Sequence, residues 1–93
     1  METKIKTFYS KRTWLNNEDS PSTGSIMCFD GIEIDKDGKE YPLRKINITD
    51  CFQTIKLHQA HYDTDEDFYN KVVLLRDEIN EFIEHLEFKL NNR

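Results

Sequence analysis

The chain is poor in the residues that usually announce a chemistry. It has two cysteines, three glycines, two prolines and one tryptophan in 93 residues. Two cysteines, Cys28 and Cys51, are too few for a disulfide scaffold; in apolar, strand-like surroundings they read as buried free thiols in a reducing compartment. No apolar run exceeds the four residues Val72 to Leu75, which excludes a spanning helix of about 20 residues. The start, Met-Glu-Thr-Lys-Ile-Lys, lacks the apolar stretch of a secretory signal, so a cytoplasmic protein is expected. No Gly-Lys-Ser/Thr phosphate loop, no nucleophile motif and no histidine placed with a serine or cysteine is present, and no enzyme activity is expected.

What is present is charge, and it is unevenly spread. Asp63 to Arg93 holds nine acidic and four basic residues, whereas the first 62 residues hold nine of each, so the last third carries the whole net charge of −5. The same segment has the clearest helical pattern. Phe68, Val72, Leu75, Ile79, Phe82 and Leu86 recur in steps of four and three, and Tyr69, Ile83 and Leu90 widen the stripe beyond a strict coiled-coil seam. Thr64 with Asp67 three residues later has the spacing of a capping box, which sets the start of a helix over 64–91.

The remainder reads as strands. Lys4 to Tyr9 alternates, with lysines that suit a sheet edge. Residues 16–25 are turn formers and read as the longest loop. Ile26 to Asp30 and Ile32 to Asp35 flank Gly31, as one bent strand with a glycine bulge or as two short ones. Asp37-Gly38 predicts a type I′ hairpin turn into Tyr41 to Thr49. Within that strand Tyr41 and Leu43 are out of phase with Ile46 and Ile48, which predicts a bulge near Arg44 and Lys45. Phe52 to His58 alternates again. The expected fold is therefore α+β. A small four- to five-stranded antiparallel sheet (4–58) is packed on one face by a single long C-terminal helix, in one domain over 1–93. Eleven aromatic residues supply the apolar bulk that a short chain needs.

Three constellations carry functional readings. The first is the acidic helix face of Asp77, Glu78, Glu81, Glu84 and Glu87, with Leu74 and Phe88 set among the acids. At these spacings like charges repel, by roughly 0.2–0.5 kcal/mol per pair, and Glu84 and Glu87 also oppose the helix dipole. Helix stability therefore does not account for them. They are either a solvated face balanced by basic residues such as Lys4, Lys6, Arg12, Arg44 and Lys56, or a docking face for a host protein with a basic surface. The second is Lys11, Arg12 and Trp14 with the loop residues Ser22, Thr23, Gly24 and Ser25, where hydroxyls, amides and an aromatic ring could cradle a nucleotide-like anion. A plain polar connection beside an anchoring tryptophan competes with that reading.

The third is His58 and His61 near Asp63, for which no spacing indicates the three or four convergent ligands of a zinc site; neither metal nor cofactor is expected. Asp35-Lys36-Asp37-Gly38 resembles a calcium loop only in its first residues, because the later glycine and terminal glutamate do not line up. Direct nucleic-acid binding is disfavoured by the net charge and a pI near 5.1 unless the positives cluster. In general character, short, acidic and without a catalytic motif, the chain is similar to small phage-borne proteins that bind and block host machinery. That resemblance implies an inhibitor of a nucleic-acid-handling or defence protein. Sequestration of a small anionic ligand is the second reading, and self-assembly through the helix the third.

Overall fold

The computed structural model describes residues 3–16, 19 and 23–92. The fold is α+β: four strands, β1 (Lys4–Trp14), β2 (Gly24–Ile34), β3 (Glu40–Asp50) and β4 (Gln53–His58), followed by one helix, α1 (Asp65–Asn91). The strands form one open antiparallel sheet in the order β1-β2-β3-β4, each paired with its neighbour in sequence. The chain divides into two compact units, the first ending at Tyr62 and containing the sheet, the second beginning at Asp63 and containing the helix.

The β2/β3 ladder is unbroken from Gly24 opposite Asp50 to Ile34 opposite Glu40. The bulge expected near Arg44 and Lys45 is therefore absent. Tyr41 and Leu43 simply lie on the other face from Ile46 and Ile48, the face shared with Asn47 and Lys45. The irregularity is on β1 instead, where the register shifts between Thr7 and Tyr9, opposite Gly31 and Asp30. Gly31 is buried, and a Cβ added there would lie 2.4 Å from the Lys6 carbonyl oxygen and 2.9 Å from the Phe29 ring. Glycine at 31 is thus a steric requirement of two close backbones, and the residues around it form one continuous strand.

The Asp35–Lys39 turn also departs from expectation. Gly38 alone has positive φ, at 84°, while its N–H donates to the Asp35 carbonyl at 3.0 Å. That is a type I turn closed by a left-handed glycine rather than a type I′ turn, which needs two positive φ values. Asp35 Oδ1 accepts from the amides of Asp37 and Lys39, each at 2.9 Å, so its carboxylate organises the turn. The β3/β4 turn is tighter still. Cys51 sits at its first central position with φ of 55°, exposed rather than buried, and its amide donates to the Thr23 carbonyl at 2.8 Å. Cys28 is half-buried, and both thiols are free.

Where β4 ends, the chain is stitched back to β3. The Gln59 amide donates to the Arg44 carbonyl at 3.0 Å. Arg44 Nη1 donates to Gln59 Oε1 at 2.9 Å and Arg44 Nε to Asp30 Oδ1 at 2.8 Å, so one guanidinium ties β2, β3 and the β4 exit. Gln59 is buried, which makes its satisfied side chain part of the packing. Ile46 and Phe68 are the buried apolar side chains among the described residues, and none is completely enclosed.

Thr64 caps α1 as its spacing predicts. Its Oγ1 accepts from the Asp67 amide, and its own amide donates to Asp67 Oδ2, both at 3.0 Å. These bonds from Thr64 to the carboxylate hold the Asp67 pKa below the ordinary 3.8. Asp65 and Glu66 add negative charge at the positive end of the dipole. At the other end, Asn92 Nδ2 donates to the Phe88 carbonyl at 2.8 Å and takes up one of the orphan acceptors.

Candidate functional site

Along α1 the exposure of the apolar stripe changes. Phe68 is buried and Val72, Val73 and Leu75 are half-buried, but every described residue from Arg76 onward is exposed. Ile79, Phe82, Ile83, Leu86 and Leu90 lie between 41% and 59% exposed, although the spacing that places them together is that of a buried face. The five acids Asp77, Glu78, Glu81, Glu84 and Glu87 are all exposed, with Leu74 and Phe88 each about two-thirds exposed among them. Arg76 is drawn sideways onto Asp77, with Nε and Nη2 each 3.1 Å from Oδ1, and so neutralises one acid locally. None of the other four has a lysine or arginine three or four positions away, and Lys89, two positions from Glu87, is off its face. The helix therefore offers an open apolar stripe bordered by carboxylates.

The residues proposed to cradle an anion divide. Arg12, Trp14, Thr23 and Ser25 come together with Thr49 around a cavity of ≈ 420 Å³. Thr49 was not singled out in the sequence because it is far along the chain; the β2/β3 register brings it opposite Ser25. Lys11 does not join them: successive side chains on a strand point to opposite faces, and Lys11 lies opposite Cys28 on the other side of the sheet. Gly24 and Ser25 belong to β2, not to a loop, with Gly24 opposite Asp50. Ser22 lies outside the described residues.

A second cavity of ≈ 550 Å³ lies where the chain leaves β4 beside β3, with Lys45, Lys56, His58, His61 and Tyr62 in its wall. Both histidines named in the sequence are there. The His61 ring stands 5.5 Å from that of Tyr41, a tilted aromatic contact that gives it a packing role. Among the described residues no group of three or more His, Cys, Asp or Glu side chains is placed to hold a metal ion. Nor is any described helix long and apolar enough to cross a membrane.

Compared with known protein families, with curated proteins and with solved structures, the chain has no match.

Proposed function

We propose that the protein is a non-catalytic binding module whose working element is the C-terminal half of α1, and that it blocks a host nucleic-acid-handling or defence protein by occupying a basic surface. The observation that carries this reading is the open stripe of Ile79, Phe82, Ile83, Leu86 and Leu90 beside uncompensated carboxylates. Apolar side chains at helical spacing gain free energy only when covered; for side chains about half exposed, complete burial contributes about 1 kcal/mol each. The acids select what covers them. A second copy of the helix would bring an equal block of negative charge, with net −5 over Asp63–Arg93 in each chain, and like charges across an interface are costly. A groove with an apolar floor and a basic rim satisfies both features.

Affinity capture from a cell lysate, washed at low and then high salt, tests the reading when done alongside two variants. One partner retained at low salt, released by high salt, and lost both with D77K/E81K/E84K and with F82A/L86A is the expected result. Equal capture by all three proteins, each with unchanged circular dichroism, would remove α1 from the mechanism. A mass that rises with protein concentration and is abolished by F82A/L86A would assign the stripe to self-assembly instead.

A further inference from the structure

The face of the sheet that carries Trp14 has a composition that folding does not require. Three successive rows cross all four strands on that face: Trp14, Ser25, Thr49 and Thr54; then Arg12, Met27, Asn47 and Lys56; then Ser10, Phe29, Lys45 and His58. Side-chain contacts confirm the shared face. Thr49 Oγ1 and Thr54 Oγ1 are 3.0 Å apart, and Lys45 Nζ stands 5.7 Å from the centre of the Phe29 ring. From strand and row spacings these twelve side chains cover about 14 Å by 14 Å. They include Arg12, Lys45 and Lys56 and no carboxylate.

The opposite face is different. There the rows hold Thr13, Ile26, Ile48 and Ile55, then Lys11, Cys28, Ile46 and Leu57, then Tyr9, Asp30 and Arg44, so that β2 to β4 carry the apolar side expected of a packed sheet in the first two rows. On the polar face the chain keeps its one tryptophan 66% exposed at the rim of the Arg12 cavity, where its ring buries little of its own apolar surface. Arg12, Thr54, Lys56 and His58 are exposed as well. In the central row Asn47 Oδ1 is buried and accepts no hydrogen bond from the described residues, a cost that valine would avoid at this strand position. Local rules of stability are broken here by several residues at once, which is the expected mark of a site selected for binding.

We infer that this face binds single-stranded nucleic acid, with a base stacked on Trp14 over the Arg12 cavity and backbone phosphates held by Arg12, Lys56 and Lys45. A flat aromatic ring accepts the face of any base, and cations spread across a sheet can follow a phosphate backbone. In the row beside Trp14 the Thr49 and Thr54 hydroxyls bond each other at 3.0 Å, and the pair keeps acceptor and donor capacity for a sugar or phosphate. The 62 residues that supply this face are themselves balanced, with nine acidic and nine basic residues. The inference stands apart from the helix proposal, since no residue is shared between the two surfaces.

The test is titration of the full chain with a fluorescein-labelled 12-nucleotide single strand, read by anisotropy, and with the unlabelled strand and AMP, read by Trp14 fluorescence. As the only tryptophan in the chain, Trp14 reports its own site. Three neutralised phosphates predict a log–log salt slope near −2, so Kd rises roughly 20-fold between 50 and 200 mM KCl. R12E/K56E and W14A are each expected to weaken binding at least tenfold with circular dichroism unchanged, whereas K36E/K71E, the same charge change at exposed lysines outside these rows, retains binding. Anisotropy that stays flat to 200 μM protein overturns the inference. So does AMP binding as tightly as the 12-mer, which would make the cavity a small-ligand site, and so does binding that R12E/K56E leaves intact.

Discussion

Residue 31 shows how one atom decides the path of a strand. The 2.4 Å approach that a Cβ would make is to a carbonyl oxygen of β1, not to a flexible side chain, so relief requires the backbone to move. Gly31→Ala is expected to cost about 3 kcal/mol, within the range of overpacked sites, and to detach β1 first. A urea midpoint that falls sharply, with early loss of amide protection over residues 4–14, is the expected measurement; an unchanged midpoint would contradict the steric account. Arg44 makes a similar case in polar terms. Arg44→Met removes the donor to Gln59 Oε1 and leaves Asp30 unpaired, which predicts a loss of about 2 kcal/mol in the same unfolding experiment. Arg44→Met with wild-type stability would reduce that network to a surface decoration. Neither role was legible in the sequence. A glycine between two apolar runs indicates that a side chain is unwelcome, but not which neighbouring strand excludes it, and Arg44 pairs with residues fourteen and fifteen positions away.

At the scale of elements, local signals were read more truly than distant ones. Thr64 and Asp67 are three residues apart and fixed the start of α1 through bonds that any such pair can make. The bulge expected on β3 has a plain cause. A switch in hydrophobic phase along β3 was assigned to a bulge, whereas the switch reflects a sheet whose two faces differ in polarity at different points along the strand. Clustering of Arg12, Lys45 and Lys56 was equally hidden, because the residues are dispersed in sequence and meet only through the register.

The capping box also predicts a pH dependence. Asp67 is held below its unfolded value of about 3.8, so its ionised form stabilises the folded chain; that contribution is complete above 3.8 and is lost as pH falls through the lower folded value. Far-UV circular dichroism is therefore expected to show the N-terminal turn of α1 loosening below about pH 4. Thr64→Ala should lower helix stability by about 1 kcal/mol at neutral pH and flatten the part of that acid response due to Asp67. An identical acid transition in T64A would detach Asp67 from it.

At the scale of the whole molecule, the described chain has Ile46 and Phe68 as its buried apolar side chains, while the stripe of α1 past Arg76 is open. A chain this short is marginal when its apolar side chains remain in water, so binding that covers α1 should also stabilise it. The charge layout gives an acidic helix, proposed to meet a basic protein partner, and a basic, aromatic sheet face, proposed to meet a single strand. A protein carrying both would meet a nucleic-acid-handling partner and its nucleic acid on separate surfaces, so loss of one should leave the other.

The most direct test of the central claim is salt-graded capture with the intact chain, D77K/E81K/E84K and F82A/L86A compared in one experiment. The account predicts a single partner that the intact chain holds at low salt and releases at high salt, and that neither variant retains. A partner held equally by all three would contradict it and move the binding surface off α1.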